Sequence, residues 1–276
     1  MLSDRESDRY SRQLLLSNIS EAGQESLVRS KVVIVGCGAT GTNLANALCR
    51  AGVGHLKLID RDFVELNNLQ RQILFDENDI ERPKAVAAME KLRAINSDIS
   101  IESEVCDFNA ENAEPLVKGA KLILDGTDNM STRFVINDIA VKLGIPWIYS
   151  GAVGTYGMTM TILPDEANPC FRCFLPQQPR PGALQTCDTS GVLNTVPQMI
   201  TSYAGTEALK FLTGNPLQGG RLVICDIWEA DFRVVRIAKR TDCVCCKENN
   251  FEFLTVEKCN LCTSLCGRNA VQVRPA

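Results

Sequence analysis

The stretch that most constrains this chain is "KVVIVGCGATG", residues 31–41. A run of β-branched residues stops at a glycine, and a helix of small residues begins within a few positions. The glycines at 36, 38 and 41 have the G-x-G-x-x-G spacing. Glycine lets such a turn tighten and lets backbone N–H groups approach a phosphate, while the helix N-terminus favours negative charge. Gly36, Gly38 and Gly41 are therefore candidate nucleotide-binding positions. "HLKLID", residues 55–60, predicts a second strand ending at Asp60, where an acid typically hydrogen-bonds ribose hydroxyls. NAD and ATP satisfy these features equally well.

The alternation continues downstream. "RPKAVAAMEKLRAIN" (82–96) predicts a helix with proline near its first turn, and "ISIESEV" (99–105) a strand. "KLILDGTDN" (121–129) reads as a fourth strand whose end carries two aspartates. "STRFVINDIAVKLG" (131–144) reads as a helix closed by Gly144, and "PWIYSG" (146–151) as a fifth strand. Strands and helices in this order give a parallel sheet covered on both faces, with ligands beyond the carboxyl ends of the strands. After Gly151, "TYGMTMTILP" (155–164) alternates as an antiparallel strand does. A long helix (194–214) and strands at 221–228 and 232–239 follow. Residues 9–30 carry helical spacing with a polar break near 17–23. The expected architecture is an α/β, Rossmann-like nucleotide-binding fold with a mainly parallel sheet, antiparallel C-terminal strands and a cysteine-bearing excursion. Residues 1–30 form its N-terminal helical segment, 31–246 the main domain and 247–276 a cysteine-containing tail.

Composition narrows the function. Of the 276 residues 45% are hydrophobic, enough for a sizeable core, and the net charge of −4 argues against broad nucleic-acid binding. No apolar run approaches the roughly 18 residues of a membrane span, and the polar start lacks a signal-peptide core, so a cytoplasmic protein is expected. That compartment keeps thiols reduced, so the 13 cysteines point to metal ligation or catalysis rather than disulfides. The single histidine, His55, lies beside a predicted strand and reads as packed or solvated. Chemistry here should need no imidazole.

The loop "ELNNLQRQ", residues 65–72, separates the two nucleotides. A dinucleotide rests its nicotinamide half on apolar surface, whereas a triphosphate must be gripped and charge-compensated. Arg71 offers a planar fork of donors, Asn68 and Gln72 add neutral donors, and Lys84 adds a compact positive charge. Asp128, in "DGTDN", suits Mg²⁺, whose octahedral shell prefers carboxylate and water oxygens. Together, at successive carboxyl ends of one sheet, they favour ATP.

With these residues in place the chain resembles the ThiF/MoeB/HesA family, adenylyltransferases of ubiquitin-like sulfur carriers related to the ubiquitin-activating enzymes. "RYSRQ", "VGCGATG", "DRDFVELNNLQRQ", "RPKA", "DGTDN" and "TCDTSGVL" carry the resemblance, in order, over roughly residues 8–246. It implies ATP- and Mg²⁺-dependent adenylation of the C-terminal glycine of a small carrier protein ending in Gly-Gly. The carrier would be ThiS-like, for thiamine thiazole synthesis, or MoaD-like, for molybdenum cofactor synthesis. By the same resemblance Asp60 contacts ribose, Asn68, Arg71 and Lys84 address the triphosphate, and Asp128 binds the metal. Arg12 would reach into a neighbouring subunit's site, which implies a homodimer, and a cysteine desulfurase or rhodanese is an implied partner for sulfur delivery. The chemistry agrees: a terminal carboxylate, of pKa about 3.5, is already an anion at neutral pH and attacks phosphorus without a general base.

Cys170 and Cys173 in "PCFRCF", with Cys243 and Cys246 in "DCVCC", give two C-x-x-C pairs, a tetrahedral Zn²⁺ signature. The family has a structural zinc built this way. Cys245 lies outside the C-x-x-C span. Cys187, in "QTCDTSGVL", has no cysteine partner; the family places there a cysteine that can accept the activated carrier, and an inert loop thiol is the competing reading. Cys37, Cys49, Cys106 and Cys225 read as small core residues. The tail cysteines 259, 262 and 266 are open to a second metal site, a sulfur-handling role or none, although "TSLCGRNAVQV" is similar to the C-terminal extension of some ThiF-like members. Three rivals stand beside carrier adenylation. An NAD-dependent oxidoreductase would leave Arg71 and Lys84 idle, and a scaffold without ATP chemistry would be expected to lack them. Activation of some other carboxylate is disfavoured by the zinc signature and "TCDTSGVL".

Overall fold

The computed structural model describes residues 1–180 and 182–255, together with the backbone of 262–265 and 270–273. The central strand β1 (Lys31–Val35) shows why its sequence is almost continuously apolar. Val32 and Ile34 face one core and Val33 and Val35 face another, on opposite sides of the sheet. Parallel to β1 run β2 (His55–Ile59), β3 (Ser100–Glu104), β4 (Leu122–Asp125) and β5 (Trp147–Val153). A tight turn at Gly154 reverses the chain into β6 (Tyr156–Ile162), and β7 (Arg221–Asp226) and β8 (Asp231–Arg236) extend the antiparallel wing. The order is β3-β2-β1-β4-β5-β6-β7-β8, one sheet of 8 strands. The expected Rossmann-like sheet with antiparallel C-terminal strands is therefore the observed one. Its strand order reverses between β1 and β4, where doubly wound sheets open a crevice at their carboxyl edge.

The helices in chain order are α1 (Asp4–Arg9), α2 (Ser11–Leu14), α3 (Ser20–Val28), α4 (Ala39–Ala51), α5 (Lys84–Ile95), α6 (Ala113–Val117), α7 (Met130–Leu143), α8 (Phe171–Phe174), α9 (Cys187–Ser190) and α10 (Thr195–Leu212). Leu44 and Leu48 of α4, Leu92 of α5 and Ala204 and Ala208 of α10 cover the face of Val32 and Ile34. Phe134 and Ile136 of α7, with Phe171 of α8, cover the other. Among the described residues, no helix is long and apolar enough to cross a membrane.

The N-terminal segment departs from expectation. Residues 9–30 are three short helices, with α1 starting already at Asp4 and the interruption falling at 15–19. Gly23 lies inside α3, not in a break. A Cβ there would come within 3.1 Å of the Thr213 side chain, so close packing on the end of α10 outweighs the poor helix propensity of glycine.

Candidate active site

Three glycine backbones meet at the switch point. Gly36 ends β1 with φ +92°, a conformation that glycine adopts without strain. A Cβ on Gly41 would lie 1.9 Å from the Gly36 carbonyl oxygen, and one on Gly126, after β4, would lie 2.3 Å from that same oxygen. Packing alone thus demands Gly36, Gly41 and Gly126. Gly38 differs: an added Cβ would find no atom nearer than 3.7 Å. It caps α4 without a side-chain hydrogen bond to the first helical N–H groups, which leaves the approach to that helix end open. Asp60 closes the turn from β2. Its Oδ2 accepts from the Cys37 N–H at 2.6 Å and its Oδ1 from the Asp62 N–H at 2.7 Å. Burial pushes the Asp60 pKa above the usual carboxylate value, and the charge of Lys84 opposes that rise.

Beside this turn lies a cavity of about 220 Å³ lined by Asn68, Arg71, Gln72, Lys84, Asp128 and Cys187, among others. The 3₁₀ turn Leu66–Asn68 buries Asn68, whose Oδ1 accepts from the Glu65 N–H at 3.2 Å. Arg71 donates to the Asn67 carbonyl at 2.9 Å and, among the described residues, pairs with no carboxylate. Gln72 is buried, yet among the described residues its Oε1 has no hydrogen-bond partner. Lys84 is the first residue of α5, 8% exposed, with Nζ 3.5 Å from Asp62 Oδ2. Asp62 offsets the cost of a cation at a helix N-terminus, and sequence reasoning missed it.

Asp128 is exposed on the loop from β4 to α7. A buried ion pair that the sequence reading also missed lies beneath that loop: Arg133 Nε donates to Asp125 Oδ2 at 2.8 Å. Asp125 Oδ1 accepts from the N–H and hydroxyl of Thr127, while Arg133 Nη2 donates to the carbonyls of Thr127 and Ser150. Burial works to lower the Arg133 pKa, but Asp125, together with Tyr149 and Asp128, holds it above the ordinary arginine value. The first aspartate of "DGTDN" was the available signal.

One predicted position lies elsewhere. Arg12, on α2, is exposed and does not line the cavity. Its neighbour Gln13 donates to the Ala51 carbonyl, at the opposite end of α4 from Gly38 and, for 13 residues, about 20 Å away. His55 starts β2 and faces Glu102 at 3.1 Å, so the imidazole is absent from the cavity, as the sequence predicts.

Cys187 opens α9, capped by Thr186, and its thiol lies 3.5 Å from the Ala152 carbonyl. A hydrogen bond from Gly154 N–H to the Gly191 carbonyl fastens the end of this segment to the β5–β6 turn. On the α7 face, Cys170, Cys173, Cys243 and Cys246 bring their sulfurs within 4.8 Å of one another, with two pairs at 3.6 Å. Cys245 stands beside the cluster but outside its four mutually close sulfurs: it accepts from Asn137 Nδ2 at 3.2 Å and also meets Cys170 and Asp138. Cys37, Cys49 and Cys225 are buried, as read, while Cys106 is half-buried. Cys259 and Cys266, and the side chain of Cys262, lie outside the described residues.

The family model described as "ThiF family" matches residues 10–245. The chain belongs to the ThiF family. It is similar to the sulfur carrier protein ThiS adenylyltransferase of Bacillus subtilis, at 44% identity over 270 residues, covering 96% of this chain and 79% of that one. The protein of the same name from Escherichia coli is 38% identical over 249 residues, covering 90% of this chain and 98% of its own. Among solved structures, E. coli MccB with succinimide aligns at TM-score 0.75 and 23% identity, over 86% of this chain and 73% of that one. At that identity the likeness bears on the fold alone, and the fold agrees with the ThiF family sheet described above.

Proposed function

We propose that this protein adenylates the C-terminal glycine of a small ubiquitin-like sulfur-carrier protein, consuming ATP and releasing pyrophosphate. One observation carries this: Arg71 and Lys84 line a single polar cavity with Asp128, beside the glycine turn at the sheet's switch point. A nicotinamide would leave Arg71, which pairs with no carboxylate among the described residues, without an anion. ATP is the substrate that fits, since the open Gly38 leaves room for a phosphate against the helix N–H groups. The orphaned Gln72 Oε1, an acceptor, calls for a donor such as ATP's hydroxyl or amino groups. The relatives named for ThiS point to a ThiS-like carrier, and a MoaD-like carrier is the comparison to run beside it.

The carrier's carboxylate oxygen attacks the α-phosphorus, and the bond from that phosphorus to the β-phosphate bridging oxygen breaks. The electron pair leaves with pyrophosphate, so no proton moves and no general base is required. Asp60 holds the ribose, and the N–H groups around Gly38 approach the phosphates. Arg71 and Lys84, with Asn68 and Gln72, grip the triphosphate and stabilise the charge that builds on the departing pyrophosphate. Asp128 supplies the carboxylate oxygen suited to Mg²⁺, which when bound would neutralise phosphate charge.

The four-cysteine cluster suits structural Zn²⁺. A tetrahedron with Zn–S of about 2.3 Å has sulfur–sulfur edges of about 3.8 Å, and the observed pairs at 3.6 Å lie near that value. Arg12, too far from its own cavity, is the group a homodimer would supply to the partner's site. Cys187, on the cavity wall, would attack the carbonyl of the acyl-adenylate as a thiolate, releasing AMP and holding the carrier as a thioester ahead of sulfur delivery by a cysteine desulfurase or rhodanese. The ten described free cysteines suit a reducing, cytoplasmic setting.

The test is exchange of labelled pyrophosphate into ATP with purified ThiS-like and MoaD-like carriers ending in Gly-Gly. Carrier-dependent exchange is the expected result. Metal-loaded protein that exchanges with neither carrier, and gives no AMP-capped product, overturns the proposal.

A further inference from the structure

Building on the reading of Asp128 as the cation's ligand, we propose that Arg133 is a positioning residue that sets affinity for the nucleotide's metal. The geometry is a clamp on the two peptide groups preceding Asp128. Asp125 Oδ1 accepts from the Thr127 N–H at 2.9 Å, which fixes the 126–127 peptide. Arg133 Nη2 donates to the Thr127 carbonyl at 2.6 Å, which fixes the 127–128 peptide that carries the Asp128 Cα. The same guanidinium is held by Asp125 Oδ2 at 2.8 Å and by the Ser150 carbonyl at 3.0 Å, and it packs over the Tyr149 ring with 5.0 Å to the centroid.

On the far side of Asp128, Asn129 caps α7 by accepting from the Thr132 N–H at 2.9 Å. Asp128 makes no hydrogen bond in this network, although its charge acts on Arg133, and it lines the cavity. Such a buried pair is weak evidence for net stability, because desolvation consumes most of its Coulombic gain. Its worth lies in direction. Only a planar fork can hold the Thr127 carbonyl, the Ser150 carbonyl and the Asp125 carboxylate at once, so lysine cannot substitute. Outer-shell partners of this kind tune metal affinity by about 10- to 100-fold.

The experiment uses the full-length protein with Mn²⁺ as a spectroscopic probe. Binding of Mn²⁺ with ATP is followed by electron paramagnetic resonance, and ATP binding in chelator by calorimetry. Arg133→Lys should weaken Mn²⁺ binding by about tenfold or more, while metal-free ATP affinity changes less than about twofold. Thr127→Val, which removes only the hydroxyl bond to Asp125, keeps the question open to test should Arg133→Lys fail to fold. It should shift Mn²⁺ affinity in the same direction and by less. Unchanged Mn²⁺ affinity in folded Arg133→Lys, or in Thr127→Val where that variant alone folds, overturns the positioning role and leaves Asp128 as ligand. Unchanged Mn²⁺ affinity in Asp128→Asn overturns the underlying metal reading and this proposal with it.

Discussion

Gly41 and Gly126 touch backbone to backbone: a Cβ on Gly126 would lie 2.7 Å from the Gly41 Cα. The glycine turn after β1 and the aspartate loop after β4 are therefore one interlocked unit. Gly126→Ala should destabilise the protein by about 2 kcal/mol or more, since backbone rather than a flexible side chain must yield. Gly38→Ala, with room for its methyl, should stay within about 0.5 kcal/mol of wild type while losing ATP affinity. Denaturant melts paired with ATP titration check both; equal destabilisation by the two substitutions would contradict the different roles assigned to them.

The cation prediction follows from Arg71 having no carboxylate partner among the described residues. Arg71→Ala should lower carrier-dependent pyrophosphate exchange by about 100-fold or more, the cost of removing one group aimed at transition-state charge. Its melting transition should hardly move. Wild-type exchange in this variant, or in Asp128→Ala, would show that the cavity serves something else.

For the cysteine centre, Cys170→Ser and Cys246→Ser should each lose the bound zinc and unfold at lower denaturant. Cys245→Ser should keep a full equivalent, because its sulfur, although beside Cys170, lies outside the close group of four. Metal analysis of the purified variants decides this. Zinc loss in Cys245→Ser equal to that in the other two would redraw the ligand set.

Cys187 separates the two halves of the proposed reaction. Adenylation needs only the phosphate-gripping groups, so Cys187→Ser should retain pyrophosphate exchange within about threefold, while sulfur transfer to the carrier stops. Thiocarboxylate formation, read by mass spectrometry alongside the exchange assay, distinguishes the two. A variant that cannot exchange at all would place the thiol in the first step.

Much of this was legible because it is written in local patterns. Strand and helix periods placed β1 to β8, and glycine spacing, the loop donors and the paired C-x-x-C motifs each carry their chemistry within a few residues. What escaped depends on partners distant in the chain or on burial. Arg133 sits on a helix where an arginine reads as solvated, and only the fold reveals Asp125 beside it. Asp62 looked like another loop acid until Lys84 came within 3.5 Å. Gly23 read as a helix break because nothing in its neighbourhood announced Thr213, 190 positions later. Gly126 was passed over for the same reason, since its necessity lies in the backbone of Gly36 and Gly41.

The cysteine cluster has one more effect. Its two halves lie 73 positions apart, so a bound ion would turn α9, α10 and the last two strands of the sheet into a closed ring. Closing a ring of that length withholds about 4 kcal/mol of chain entropy from any partly melted form. On that reading, a cell starved of zinc would lose this protein to proteases nicking the loosened ring, with every side chain proposed to grip phosphate still intact.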